Sequence, residues 1–270
     1  MKHAIRTFER MLLARGAQPL DEHDLAQPAL VFAPHPDDET LGCGGTLLKK
    51  LSAGARVGVV FLTDGRRSHA RLMAEDELRA VREREAQAAC RALGIEPQQV
   101  FFFGFADGEL SRFQREATAR VAQLLSEWRP VEVFVPYRHE PPSDHYVTYQ
   151  VVMSALAQRH MHTLVYEYPI WFWDHWPWTS VRAHSAIARG GALKRSLLAS
   201  MRLLRDFRCA VDITDVLDRK RAALAEHRSQ MMRLAPDPRW AILGDVSNGE
   251  FLECFFQRYE LFQRRTTNDE

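Results

Sequence analysis

The chain has 270 residues, 46% of them hydrophobic and 26% charged, and its 36 Lys and Arg nearly balance 35 Asp and Glu for a net charge of +1. This is a globular composition, which excludes disordered, collagen-like and fibrous chains. The charge balance gives no global reason to expect nucleic acid, and no apolar run approaches the roughly 18 residues that suggest a membrane span. The length fits one or two domains at about 150 residues each. No stretch reads as a linker, so the expectation is a single domain over 1–270 with an insertion near 172–208. The first residues alternate charged and apolar types, so no secretory leader is expected. Cys43, Cys90, Cys209 and Cys254 lie far apart and form no CxxC pair, which points to reduced thiols and a cytoplasmic setting.

In chain order, residues 1–27 read as a helix and a polar connector. Apolar, strand-forming runs follow at 29–35, 56–65, 100–105, 131–137, 162–171 and 209–214. They are continuously apolar rather than alternating, as expected of strands covered on both faces. Between them lie segments with helical spacing: a stretch after the first strand, then Glu75–Gly94, Phe113–Trp128, Val147–Gln158 and Asp215–Met232, the last with Thr214 as a candidate N-cap. Strand and helix alternate, which predicts an α/β sandwich with a largely parallel sheet.

The first strand ends in Ala33-Pro34-His35-Pro36-Asp37-Asp38-Glu39. In parallel α/β sheets the carboxyl ends of the strands form the ligand crevice. An imidazole and three carboxylates within five residues are costly to bury unpaired, and a divalent metal removes that cost. His plus Asp is a partial zinc ligand set that needs one more protein ligand. A carboxylate that does not ligate is then free to act as base toward water activated by the ion. The fourth strand ends in Tyr137-Arg138-His139-Glu140-Pro141-Pro142-Ser143-Asp144-His145, so either His139 or His145 could supply the third ligand. Asp144 suits a helix N-cap or a partner that orients a ligating histidine.

The string PHPDDETLGCGGTL resembles the signature of the LmbE-like, or PIG-L, deacetylases. Thr63-Asp64-Gly65, Arg82 with Glu85, Phe105-Ala106-Asp107-Gly108 and Asp144-His145 follow in that family's order, and 220–230 (KRAALAEHRSQ) resembles a C-terminal family segment. The resemblance implies a Rossmann-like fold and zinc-dependent removal of the N-acetyl group from a small amino-sugar substrate. It implies His35, Asp38 and His145 as ligands of Zn2+ (other divalent metals suit such a site), Asp37 as general base, and Arg82 and Asp107 as substrate-binding residues. One feature departs from the family. Many members carry a histidine three residues before the last ligand, where this chain has Pro142. His139, in the same loop, is the expected catalytic replacement, with His227 as an alternative. The competing readings are hydrolysis of a longer acyl group or of an amino-sugar conjugate, and a metal-containing sugar-binding protein without turnover.

Gly42-Cys43-Gly44-Gly45 is neither GxGxxG nor a Walker loop. These glycines are expected to bring a helix close to the sheet, and a dinucleotide-dependent enzyme is disfavoured. Four of the six tryptophans fall in 171–178, and 187–208 sets six cations against the single anion Asp206, with Leu193, Leu197, Leu198, Met201 and Leu204 as its apolar component. The loop suits an aromatic lip or a packed contact. The basic stretch suits a solvated helix or a surface for anionic lipid, so 171–208 is a candidate for peripheral membrane contact.

Overall fold

Five apolar segments pair in parallel to build most of the sheet. The computed structural model describes residues 16–141, 143–175, 177–180 and 186–267, the side chains of 186–195 excepted. The N-terminal helix expected within 1–15, Pro142, Trp176 and the side chains of Arg189, Leu193, Lys194 and Arg195 therefore lie outside the described residues. The strands are β1 (Gln18–Pro19), β2 (Ala29–Ala33), β3 (Val57–Thr63), β4 (Val100–Phe105), β5 (Glu132–Pro136), β6 (Leu164–Tyr168), β7 (Cys209–Asp212) and β8 (Tyr259–Thr266). They form one eight-stranded sheet in the order β1-β7-β8-β6-β5-β2-β3-β4. β2 pairs in parallel with both β3 and β5, and β8 runs antiparallel to β6 and β7. The sheet is thus largely parallel, as expected, with one reversed strand.

The helices are α1 (Glu22–Leu25), α2 (Asp38–Ser52), α3 (Glu75–Leu93), α4 (Gln114–Trp128), α5 (Asp144–Gln158), α6 (Ala186–Asp206), α7 (Leu217–Ala225), α8 (Arg228–Met231) and α9 (Glu250–Glu253). Successive strand residues point to opposite faces. In β2, Ala29, Val31 and Ala33 join a core shared with α2, α3 and α7, while Leu30 and Phe32 join the core under α4 and α5. β3 repeats the division, with Val59 and Phe61 on the first side and Val60 and Leu62 on the second. Helices therefore cover both faces of the sheet in three layers.

The chain runs outward from β2 through β3 to β4, then returns to the other side of β2 with β5. The strand order reverses between β2 and β5, and their carboxyl ends open on the crevice that such a reversal creates. This places the loops after Ala33 and after Pro136 beside each other.

The glycines of α2 make close packing possible. A Cβ on Gly42 would collide with the Tyr168 ring of β6, and one on Gly45 would lie 2.5 Å from Ile213. Gly42→Ala is accordingly expected to destabilise the fold by about 1–3 kcal/mol through overpacking, read as a lower urea midpoint; an unchanged midpoint would show that the helix has room to move.

The C-terminal half differs from expectation in two places. The segment 215–232 is not one helix: a turn at Thr214–Val216 precedes α7, and the chain breaks at His227 before α8. Thr214 does not cap α7. Its hydroxyl bonds Asp212 instead, and the cap position is Val216. In α6 Ser196, Ala199 and Leu203 are buried, as is Phe207 just past its end, while Leu197, Leu198 and Met201 stay outside at 63%, 43% and 60% exposure.

Candidate metal and active site

His35 follows β2, and Asp38 opens α2 three residues later. The Asp38 carboxylate turns back to accept from the His35 amide at 3.0 Å and lies 3.3 Å from His35 Nδ1. His145 is the second residue of α5, whose N-cap is Ser143; the Ser143 hydroxyl accepts from the His145 amide at 3.3 Å. Two helix starts behind adjacent strands thus deliver their side chains to one point. His145 Nε2 stands 3.4 Å from the same Asp38 oxygen, and the His35 and His145 rings are 5.3 Å apart.

Two groups of three potential donors converge here, His35/Asp38/His145 and His35/Asp107/Asp144, each with its atoms within 4.8 Å of one another. Their hydrogen bonds separate them. Asp144 accepts from the Gly108 and Leu110 amides, and Asp107 accepts from the Arg67 amide. These carboxylates already have partners and face His35 Nε2 at 3.2 Å (Asp107) and 3.5 Å (Asp144). His145, in contrast, is almost fully buried with neither ring nitrogen hydrogen bonded. A buried imidazole without partners is costly, and an ion held by His35, Asp38 and His145 would remove that cost. Asp107 and Asp144 then brace the opposite side of the His35 ring, as carboxylates commonly do behind a ligating histidine.

The two imidazoles sit in opposite electrostatic surroundings. Burial acts to lower the pKa of His35, but Asp107, Asp144 and Asp38 outweigh it and hold the ring well above its ordinary 6.5. Burial pushes His145 down to about 4, leaving it neutral and available as a donor.

The three consecutive acids do three different things. Asp38 meets the two histidines. Asp37 precedes α2 at φ 135°, makes no capping hydrogen bond, and lies 3.4 Å from Arg82. Such a φ is strained for any residue but glycine. Here Arg82 donates to the Pro36 carbonyl just before it, and the Glu39 carboxylate accepts from the Asp37 amide at 2.9 Å. Glu39 also accepts from His227 Nε2 at 2.8 Å, and both groups are fully buried. Burial pushes Asp37 up to about 7, with Arg82 opposing. A carboxylate with a pKa near neutrality is suited to accepting a proton.

These groups open on a cavity of about 320 Å³ lined by His35, Asp37, Asp38, Arg82, Asp107 and His145, all expected from the sequence. His139 is a different matter. The structure places it outside the cavity, exposed on the surface, edge-on to Tyr137 and beside Arg138. The expected replacement for the missing histidine is therefore not brought to the site. His227 is held behind the loop by Glu39 and does not line the cavity either. Arg82 and Glu85 do not form a pair with each other: Arg82 reaches the Asp37 loop, while Glu85 accepts from the Ser229 amide and hydroxyl.

Sequence reasoning missed His69. It lines the cavity, stacks on Trp240 with ring centroids 4.4 Å apart, and shares a 2.7 Å hydrogen bond with the Ala241 carbonyl through Nε2. A carbonyl only accepts, so Nε2 carries the proton. No local motif marks His69, because Trp240 and Ala241, which fix its ring, lie far away in the chain. The tryptophan loop divides: Trp171 lines the cavity and stacks on Phe251, while Phe172, Trp173 and Trp178 pack with Phe207 and Tyr137 in the interior. Glu140 anchors the loop by accepting from the Ile170, Trp171 and Phe172 amides.

The PIG-L family profile, described as GlcNAc-PI de-N-acetylase, matches residues 30–156, the segment that supplies every member of the His/Asp cluster. Residues 30–156 are thus similar to the PIG-L family. Relatives match over more of the chain's length. A 1D-myo-inositol 2-acetamido-2-deoxy-alpha-D-glucopyranoside deacetylase of Mycobacterium sp. (strain KMS) is 28% identical over 82% of this chain and 80% of its own. A diacetylchitobiose deacetylase of Thermococcus kodakarensis is 31% identical over 40% of this chain and 39% of its own. Among solved structures, N,N'-diacetylchitobiose deacetylase from Pyrococcus horikoshii superposes with a TM-score of 0.63 and 21% identity over 99% of this chain and 93% of its own. That last likeness establishes a shared α/β fold.

Proposed function

We infer that this chain is a metal-dependent hydrolase that removes the N-acetyl group of an N-acetylglucosamine-type compound. The observation that carries this reading is the buried, unbonded His145 imidazole beside His35 and Asp38, with Asp37 on the same cavity and outside the ligand set. Two imidazoles and one carboxylate facing an open cavity suit zinc, and suit other divalent ions as well. A divalent ion in that set supplies Lewis-acid polarisation of the amide carbonyl and of water. Asp37 takes the proton as water adds to the acetyl carbon, then returns it to the nitrogen as the C–N bond breaks, giving acetate and a free amine. Arg82 keeps the Asp37 loop in place through the Pro36 carbonyl, and its charge beside Asp37 favours the carboxylate form that accepts the proton. Asp107 holds the His35 ring from behind and, lining the cavity, also faces the substrate.

The test is acetate release from a panel of N-acetylglucosamine compounds before and after chelation. The expected result is one metal ion per chain and activity that disappears with the metal and returns with zinc. Metal-replete protein that releases no acetate from any member would sink the deacetylase reading and favour a binding role.

Two coarser features complete the proposal. No helix among the described residues is long and apolar enough to cross a membrane. The cysteines are unpaired and three of them are buried, which suits a reducing compartment such as the cytoplasm. On α6, Leu197, Leu198 and Met201 are exposed on a helix that also carries Arg202 and Arg205, with Arg208 just beyond its end. An exposed apolar patch beside cations suits the surface of an anionic bilayer. Vesicles containing phosphatidylglycerol should sediment the protein, and L197S with M201S should reduce the bound fraction severalfold. Equal sedimentation of wild type and variant would remove this face from consideration.

A further inference from the structure

Asp37 lines the cavity from a backbone angle, φ 135°, that residues other than glycine rarely adopt. Such an angle persists where the surroundings impose it. This φ relates the Pro36–Asp37 peptide to the rest of the residue, and both parts are held. The peptide is gripped at its two polar ends. Arg82 donates to the Pro36 carbonyl, and the Glu39 carboxylate accepts from the Asp37 amide at 2.9 Å. On the other side of the Asp37 Cα, the Asp37 carbonyl accepts from the Thr40 and Leu41 amides at 3.1 and 2.9 Å as α2 begins. The direction of the Asp37 side chain follows from this fixed backbone.

The Glu39 grip depends on a residue 188 positions away. Oε2 of Glu39 takes the Asp37 amide, while Oε1 takes the Thr40 hydroxyl at 2.6 Å and His227 Nε2 at 2.8 Å. A carboxylate that accepts at both oxygens is ionised, so Nε2 is the donor. Glu39 and His227 are both fully buried. His227 Nδ1 has no hydrogen-bond partner among the described residues, so the polar contact of the ring is spent on Glu39. The ring is itself fixed. His227 stands at the break between α7 and α8, where its carbonyl accepts from the Gln230 and Met231 amides at 2.9 and 3.0 Å.

We propose that His227 is a positioning residue for deacetylation: by holding Glu39 it fixes the Pro36–Asp37 peptide, and with it the direction of the Asp37 carboxylate. The proposal rests on the deacetylase reading above, in which Asp37 moves the proton. It adds a residue that belongs neither to the donor groups nor to the cavity lining. Without the His227 donor, Glu39 is a buried carboxylate short of a partner, and such a group turns toward other donors or draws in water. The Asp37 amide then loses its fixed acceptor and the peptide can rotate. Asp38 keeps its own bond to the His35 amide, so the ligand set is expected to remain.

The test compares zinc-loaded wild type with His227→Leu, which removes the donor, and with His227→Gln, whose side-chain amide keeps an N–H. His227→Leu should lower kcat for acetate release at least about tenfold, since a displacement of about 1 Å costs up to about 10² in rate, with KM and metal content unchanged. His227→Gln should recover most of the loss. Hydrogen exchange gives a readout apart from activity. In His227→Leu the Asp37 amide should exchange at least about tenfold faster, while the Leu47 and Leu48 amides inside α2 keep their protection. A residue that serves stability alone would speed all three amides together and leave kcat per folded, metal-loaded chain as in wild type; that outcome overturns the proposal, and so does wild-type exchange at Asp37. Should His227→Leu not fold, His227→Asn, which stays polar but falls short of Glu39, is read in the same way. If wild type releases no acetate, the deacetylase reading fails, and the exchange comparison still decides whether His227 holds the Asp37 peptide.

Discussion

Asp37→Asn is expected to lower the rate of acetate release by about 10²–10⁴, the usual contribution of general acid–base catalysis, while the protein still binds one metal ion. The carboxylate makes no capping bond to α2 and belongs to neither three-donor group. Its neighbour across the loop is Arg82, 3.4 Å away. Asparagine keeps the shape and is among the residues that tolerate positive φ best, so the strained backbone at 135° survives the change. What disappears is the ability to accept a proton. Metal content by atomic absorption and a thermal melt, taken alongside the rate, separate the alternatives. Lost metal would make Asp37 a ligand, a large fall in melting temperature would make it a structural residue, and wild-type activity would remove it from the chemistry.

The chemistry of the metal loop was legible because it is contiguous. His35, Asp37 and Asp38 stand within four residues at a strand end, and the strand alternation already implied a crevice there. The pairing of that loop with His145 depends on β2 and β5 being neighbours, which local sequence signals only suggest. The strand ends extended too far in the reading because apolar residues continue into the site: Trp171 belongs to the cavity rather than to β6. β8 escaped notice for the opposite reason. Its residues include Glu260, Gln263, Arg264 and Arg265, and the charges disguise a strand whose Leu261 and Phe262 are buried. Likewise, the apolar spacing in α6 says which side chains share a face, but whether that face is covered depends on what lies beneath it. The His139 expectation failed because being near the site in sequence does not place a side chain near it in space: Tyr137 is drawn into the core, and His139 is left on the surface outside the cavity.

Lys220→Ala should cost about 3–5 kcal/mol of folding stability, the usual effect of removing one partner from a buried ion pair. Lys220 is fully buried. Its ammonium donates to the Leu41 carbonyl at 2.8 Å, the Phe255 carbonyl at 2.8 Å and Glu260 at 2.7 Å. Glu260 in turn accepts from the Gly45 and Thr46 amides at 2.7 Å each and from the Thr46 hydroxyl at 2.6 Å. One buried pair thus joins α7, the antiparallel strand β8 and the glycine-rich stretch of α2. Alanine leaves the Glu260 charge buried with only its α2 donors and strands two carbonyls. Lys220→Met with Glu260→Gln, which removes both charges and keeps the volume, should cost less than Lys220→Ala alone. Urea unfolding of the metal-free proteins gives the comparison, and a loss below about 1 kcal/mol, the scale of an exposed pair, would refute the structural role. The effect should also reach the site: Leu41 lies in the first turn of α2, just after Asp38 and Glu39, so a looser anchor at its carbonyl is expected to weaken metal binding as well. A variant that unfolds more readily yet binds metal as tightly as wild type would mean that the loop after β2 holds its geometry through Glu39 and His227 alone.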